Sequence, residues 1–174
     1  KFIIWVSSLA LLASFAGAQA TLSVTQQKAL AALRAVQPET AATPMKTAVA
    51  TGNLVVIKEA NIQYEIPAGW RTEQHADATQ ITSPDGGVSI LIGLAVNDNT
   101  EAMIVGLKDY LKQDYTNFKV GGDLQKESIN DLRALIENGS GETGEGIMEW
   151  NIVVLIGGKR PIVAFTVAEQ KAFK

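Results

Sequence analysis

Alternation of apolar and polar residues predicts strands over most of the last two thirds of the chain. The clearest strand covers 88–96, where Val88, Ile90, Ile92 and Leu94 share one face. The same period, or a short apolar run, predicts further strands over 54–58, 62–66, 79–82, 118–120, 124–129, 132–137, 147–156 and 162–168. The sequences at 84–87 and 157–160 have the Gly and Pro content of turns and connect neighbouring strands.

One segment between the strands has helical periodicity. Met103, Ile104, Leu107 and Leu111 recur at intervals of three and four, which predicts a helix over 100–115. Asp98 stands three residues before Glu101, the spacing of a capping box, so we expect Asp98 to cap this helix. Strands, one helix and then more strands favour an α+β fold with an antiparallel β-sheet over an alternating βαβ fold.

The first twenty residues have the layout of a secretory signal peptide. A basic residue comes first, an apolar run follows, and Ala18-Gln19-Ala20 has the small-x-small pattern of a cleavage site. We expect cleavage after Ala20, with Ala18 as the competing position. The apolar run is shorter than the roughly 20 residues that a spanning helix needs. The chain is therefore predicted to be exported, periplasmic or secreted, with no stable membrane span after processing.

Residues 21–37 predict a short amphipathic helix with an apolar stripe at Leu30, Leu33 and Val36. Such a helix could dock on a partner or a membrane surface, or lie on its own domain. Lys28 and Arg34 are few basic residues for a membrane-surface helix, which favours the last interpretation. Residues 38–52 are rich in Ala, Thr and Pro and predict a linker. The compact domain is expected over 53–174.

Composition excludes several function classes. The chain has no Cys and one His, His75, so a zinc site and disulfide bonds are not expected. Its net charge is −3, and Lys159-Arg160 is the only adjacent basic pair, which argues against binding to nucleic acid. We expect no cofactor and no metal.

The segment Gly139-Ser140-Gly141-Glu142-Thr143-Gly144 satisfies the GxGxxG pattern formally. A dinucleotide site would need a helix directly after the glycines, whereas a strand is predicted over 147–156. Glu142 would also repel a phosphate. We therefore predict a mobile hairpin loop here and no phosphate site.

Other candidate residues have simpler structural explanations. His75 lies among polar residues and no GxSxG motif accompanies it, so we expect a solvated loop and no catalytic residue. Asn97-Asp98-Asn99 and Asp85 could offer oxygen ligands to calcium, but the segment lacks the glycine and the terminal glutamate of an EF-hand loop. Trp150 alternates with apolar residues and is predicted to lie in the core.

Trp70 directly follows Pro67-Ala68-Gly69, a sequence that ends a strand and turns the chain. The indole can then cover an end of the sheet, or it can contact a partner. We predict that Trp70 fills a gap in the core, and we keep it as the one possible partner-contact residue.

Several of these segments together resemble the PsbP-like (Ran-binding Mog-type) superfamily, to which DcrB-like bacterial envelope proteins belong. The resemblance is carried by Tyr64-x-Ile66-Pro67-Ala68-Gly69-Trp70, Ser83-Pro84-Asp85-Gly86, the strand 88–96 and the helix 100–115, and covers about 53–174. It implies an α/β/α sandwich, an antiparallel sheet flanked by helices. Because that family has a C-terminal helix, we expect the chain to continue into one beyond Lys174.

The resemblance also bears on function, because members of that superfamily are mostly binding or assembly proteins with no shared catalytic residues. We therefore expect a non-enzymatic binding or assembly module of the bacterial envelope, whose partner is an envelope protein or a lipid. Two alternatives stay open. One is a carrier of a lipid or another apolar ligand, held between sheet and helices beneath Leu107 and Leu111. The other is an envelope hydrolase.

Overall fold

The computed structural model describes residues 48–51, 53–75, 78–95 and 98–173. The predicted signal peptide with Ala18 and Ala20, and the predicted helix over 21–37, lie outside these residues. The strands are β1 (Ala48–Thr51), β2 (Leu54–Ile57), β3 (Ile62–Glu65), β4 (Arg71–Gln74), β5 (Ala78–Thr82), β6 (Val88–Leu94), β7 (Thr116–Val120), β8 (Gln125–Ile129), β9 (Leu132–Thr143), β10 (Gly146–Ile156) and β11 (Ile162–Glu169). The helix α1 covers Thr100–Asp114, and Gln170–Phe173 forms a 3₁₀ turn.

The strands form two antiparallel sheets. The larger has eight strands in the order β4-β5-β6-β11-β10-β9-β7, with β8 also paired to β9. The smaller has three strands in the order β1-β2-β3. The α+β class and the antiparallel sheet are thus as expected. Within the described residues α1 is the single α-helix, so the additional flanking helices of an α/β/α sandwich are not confirmed.

One face of the large sheet is covered by α1. Met103, Ile104, Leu107 and Leu111 are buried on the helix, in one core cluster with side chains from β9, β10 and β11. Trp150 belongs to this cluster and is 2% exposed, which confirms its predicted core position. Because the strands alternate, every second residue of β10 faces the helix: Met148, Trp150, Ile152 and Val154.

The three-stranded sheet covers part of the opposite face. Ile57 of β2 is buried with Ile162 of β11, and Ile92 and Leu94 of β6 pack against the same cluster. Leu91, on the other side of β6, lies in the cluster with α1. Strand β6 is therefore covered on both faces, which explains why its apolar pattern is the strongest in the sequence.

The structure corrects the predicted cap of the helix. Asn99, and not Asp98, is the N-cap residue, because its Oδ1 accepts a hydrogen bond from the Ala102 amide at 3.2 Å. The predicted helix over 100–115 is otherwise confirmed; it ends one residue earlier, at Asp114, because Tyr115 is extended. Asn and Asp are about equally good caps, so the sequence spacing alone could not decide between these neighbours.

Two strands were not predicted. Strand β1 lies within 38–52, the range predicted as a linker, and pairs along its whole length with β2. Strand β4 has four exposed polar residues and forms an edge of the large sheet. Strand β4 has no apolar alternation that would reveal it, because an edge strand with both faces in water needs no buried side.

The predicted mobile loop at 139–144 is also wrong. Strand β9 continues through Gly139, Ser140, Gly141 and Glu142 to Thr143, and β10 begins at Gly146. The glycines are required by packing: a Cβ on Gly139 would overlap the Trp150 ring and the Lys119 carbonyl. A Cβ on Gly141 would lie 2.6 Å from the Tyr115 side chain. Aromatic rings lie directly over both glycines, so the motif belongs to the sheet.

Candidate functional site

The part of the sheet face that the three-stranded sheet leaves uncovered contains a shallow depression of about 490 Å³. It is formed by β9, β10 and β11. Five polar side chains line it, and we call this set the open polar surface: Asn138, Ser140, Glu149, Asn151 and Thr166. Gly121, Gly139 and Trp150 complete the lining.

Strand register places the five residues in two rows. Asn138, Asn151 and Thr166 are successive Cα partners across β9, β10 and β11. Ser140 and Glu149 are partners in the next row. Neighbouring strands lie about 4.8 Å apart, so each row presents closely spaced polar groups on one side of the sheet.

The polarity of this face changes where its cover begins. The row beside Asn138, Asn151 and Thr166 consists of Ile136, Val153 and Ala164, and the row after it of Ala134, Leu155 and Ile162. Ile162 is already buried with the three-stranded sheet. The same three strands thus carry apolar residues toward the cover and polar residues in the depression.

The hydrogen-bonding capacity of the open polar surface is unused within the described residues. All five side chains are half-buried. Across the described part of the chain, no side-chain hydrogen bond or ion pair joins any of them to another residue. The amides of Asn138 and Asn151 and the hydroxyls of Ser140 and Thr166 can each donate and accept. Glu149 contributes the only charged group of the lining.

The rim of the depression depends on a glycine. The Gly121 amide donates a hydrogen bond to the Asn138 carbonyl at 2.7 Å. A Cβ on Gly121 would collide with the Asn138 side-chain amide. The missing side chain at Gly121 therefore leaves room for the Asn138 amide in its observed orientation.

An aromatic cluster supports the depression from the covered face. Phe118 stacks on Trp150 at a centroid distance of 5.3 Å and an interplanar angle of 8°. Tyr115 meets Phe118 edge to face at 6.4 Å. The Tyr115 hydroxyl and Trp150 Nε1 are buried and lack a hydrogen-bond partner in the described residues. Burial, together with the nearby carboxylates of Asp114 and Glu145, raises the pKa of Tyr115 to about 12.

Trp70 lies at a different place, on the side of the three-stranded sheet. Its amide donates to the Pro67 carbonyl at 3.1 Å, and Gly69 has φ +84°, so Pro67-Ala68-Gly69 forms a tight turn. The half-buried indole packs against the cluster of Val55, Ile66 and Ile81. This packing is compatible with the prediction that Trp70 fills a gap in the core, while a partner contact at Trp70 stays a prediction.

His75 is not in a solvated loop, which corrects the prediction. Its side chain is 11% exposed. His75 Nε2 lies 3.3 Å from Gln80 Oε1, and Gln80 Nε2 donates to Ser89 Oγ at 3.1 Å. The amide of Gln80 thus stands between the imidazole and the nearest serine hydroxyl of this network. An amide is neither an acid nor a base at neutral pH, so this arrangement does not activate Ser89.

Asp85, one of the possible calcium ligands, is engaged within its turn. Its Oδ1 accepts from Ser83 Oγ at 2.6 Å and from the Gly87 amide at 3.0 Å. The hydrogen bond from Ser83 is the main reason why the pKa of Asp85 is lowered. Asp98 is exposed, and Asn97 lies outside the described residues. In the described ranges, no three Asp, Glu or His residues are grouped as a metal site would require.

The open polar surface escaped the sequence analysis for two reasons. Ser140 lay inside the predicted loop, and Asn138 lay between that loop and the strand predicted over 132–137. Glu149 and Asn151 lay on the side of the strand over 147–156 that is opposite Trp150 and Ile152. Extending the two-residue period of β10 back through β9 would have revealed them, because Asn138 and Ser140 alternate with the glycines.

Comparison with known proteins gives distant structural likenesses only. No family model and no curated protein sequence matches the chain. LpqN of Mycobacterium tuberculosis, involved in cell envelope biogenesis, is 15% identical with a TM-score of 0.43, over 60% of this chain and 67% of LpqN. PA94 of Pseudomonas aeruginosa, a putative regulator of unknown function, is 9% identical with a TM-score of 0.39, over 69% of this chain and 85% of PA94. Likenesses at these TM-scores assign neither a family nor a function, and the PsbP-like resemblance is not confirmed. No helix in the described ranges is long and apolar enough to cross a membrane.

Proposed function

We propose that the chain is an exported, non-enzymatic binding or assembly module of the bacterial envelope, and that its partner docks on the open polar surface. The observation that carries this proposal is the depression itself. Five half-buried polar side chains line it, and none has a side-chain hydrogen-bond partner in the described residues. The predicted signal peptide supports export to the periplasm or beyond.

A binding role explains the depression better than ordinary solvation does. A volume of about 490 Å³ lies within the roughly 300–1,000 Å³ typical of ligand sites. The site lies on strands of the sheet, which hold side chains more precisely than loops do. The stacked rings of Phe118 and Trp150 further support β9 and β10 from behind.

The absence of acid–base chemistry from the depression supports a non-enzymatic role. Glu149 is the single ionisable side chain of the lining, whereas acid–base catalysis of hydrolysis commonly uses two such groups. The hydrolase alternative would have to use another part of the molecule. His75 is a poor candidate there, because its Nε2 faces the Gln80 amide.

The carrier alternative also has less support. It requires space for an apolar ligand beneath Leu107 and Leu111. These side chains are 1% and 3% exposed and pack directly in the core cluster with Trp150 and Phe165. A ligand would have to displace the core, whereas the open polar surface is already accessible.

Site-specific photo-crosslinking tests the proposed function. A photoreactive side chain at Thr166 lies in the depression, and one at Val105, which is 52% exposed on α1, serves as the matched control. In cells that export the chain, we expect a discrete adduct from position 166 and none from position 105. The change Asn151→Ala should reduce the yield of the adduct. Equal adducts from both positions, or none from position 166, would contradict the proposal.

A further inference from the structure

We infer that the open polar surface binds a segment of an uncharged glycan chain, and that Glu149 selects against acidic glycans. This inference rests on the proposed function, because it names the ligand chemistry of the same site. It follows from three properties of the lining: the kinds of polar groups, the lack of an apolar anchor and the single negative charge.

The hydrogen-bonding groups of the surface match sugar hydroxyls. A hydroxyl both donates and accepts, and so do the amides of Asn138 and Asn151 and the hydroxyls of Ser140 and Thr166. The first row offers such groups on three consecutive strands, through Asn138, Asn151 and Thr166. A ligand lying across the strands could therefore exchange hydrogen bonds with several side chains in succession.

The lining lacks the anchor that a protein or lipid partner would use. Protein interfaces concentrate their binding energy in aromatic or arginine side chains that fill desolvated pockets. The side chain of Trp150, the one aromatic residue of the lining, is buried in the core cluster under α1 and stacked on Phe118. The remaining lining residues are small or polar. A polyhydroxylated ligand can instead form several hydrogen bonds with the polar side chains of the lining. Each of them contributes little net free energy in water, so weak binding is expected.

Charge narrows the ligand class further. Glu149 is half-buried, and no ion pair joins it to another described residue. A carboxylate accepts hydrogen bonds from sugar hydroxyls but repels a second carboxylate or a phosphate. Lys119 is the Cα partner of Ser140, yet it is exposed on the edge strand and does not belong to the lining. Glu149 is therefore the charge that an incoming glycan meets.

Titration with two oligosaccharides, followed by NMR of the full exported chain, tests the inference. The probes are chitotetraose, which is uncharged, and tetragalacturonate, which carries carboxylates. We expect weak, saturable binding of chitotetraose, with shifts of backbone amides in β9, β10 and β11 around the depression. Asn151→Ala should weaken this binding about tenfold, the equivalent of one or two net hydrogen bonds. Gln113→Ala, an exposed position on α1, should leave it unchanged.

Glu149→Gln isolates the effect of charge, because glutamine keeps the size and the acceptor oxygen. We expect the affinity for chitotetraose to change less than about twofold and that for tetragalacturonate to rise at least about threefold. Failure of chitotetraose to bind, shifts on the α1 face, or no gain for tetragalacturonate would each overturn the inference. If neither sugar binds while position 166 still crosslinks a partner, the glycan inference fails and the proposed function stands. If crosslinking fails as well, both fall.

Discussion

The two faces of the large sheet are built from the same strands but differ in what their side chains do. In β10, Trp150, Ile152 and Val154 point to the α1 face and are at most 2% exposed. Glu149 and Asn151, their immediate neighbours, point to the other face and are half-buried in the depression. Core packing and the proposed binding can therefore be tested separately, residue by residue, along one strand.

The comparison also explains why the two rows in the depression can be polar. The α1 face is filled by a helix and an aromatic cluster, and the apolar half of the opposite face is filled by the three-stranded sheet. The residues in the depression need not contribute to the core, so their side chains can be polar. Substitutions on the α1 face should accordingly change the free energy of unfolding, whereas substitutions in the depression should change crosslinking to a partner.

The largest expected effect is on the α1 face. Trp150→Ala should lower the free energy of unfolding by about 4 kcal/mol, because it removes a fully buried aromatic residue. Trp150→Phe should recover part of this loss. Urea unfolding provides the measurement, and a loss below about 1 kcal/mol would show that the aromatic cluster does not hold the sheet.

The next effect concerns Glu137, a buried charged residue on that face. Glu137 is 3% exposed and its carboxylate accepts from Lys108 Nζ at 2.9 Å. Lys108→Met should cost about 3 kcal/mol, because a carboxylate remains buried without its partner. Adding Glu137→Gln to that variant should restore much of the loss. If Lys108→Met and the double variant have the same free energy of unfolding, the ion pair does not fasten α1 to the sheet.

Trp70 lies where the three-stranded sheet meets β5, at a different place from the depression. Trp70→Ala should cost about 2 kcal/mol, less than truncation of a fully buried tryptophan, because the indole is only partly buried. Trp70→Phe should cost less. A stability change within about 0.5 kcal/mol, together with loss of partner crosslinking, would instead assign Trp70 to a binding surface.

Tyr115 gives the smallest effect at neutral pH and a larger one in alkali. The pKa of Tyr115 in the folded chain is about 12, above its ordinary value of 10.0, so the folded state keeps the proton longer than the unfolded state does. Its contribution to stability is complete below pH 10 and is lost as the pH rises through about 12. Tyr115→Phe should change neutral stability by less than about 1 kcal/mol. It should also flatten the alkaline loss of stability, measured by urea unfolding between pH 9 and 12; an unchanged slope would contradict the assigned burial.

The sequence predicted those parts of the fold that are fastened by buried apolar residues. The helix over 100–115 and the strand at 88–96 were predicted because their core sides repeat at fixed intervals. Strand β4 was missed because its four residues are all exposed. The glycine motif at 139–144 was misread because its physical cause is the rings of Trp150 and Tyr115 over the backbone, which come from β10 and from the segment between α1 and β7. The same error concealed Ser140 of the open polar surface.

The central claim is that the open polar surface serves binding and contributes little to stability. The double variant Asn151→Ala/Thr166→Ala tests it most directly, with urea unfolding and crosslinking measured on the same preparation. For crosslinking, the photoreactive side chain is placed at Ser140, inside the depression. We predict a change in the free energy of unfolding below about 0.5 kcal/mol and loss of the crosslinked adduct. A loss of more than about 1 kcal/mol with the adduct intact would contradict the account.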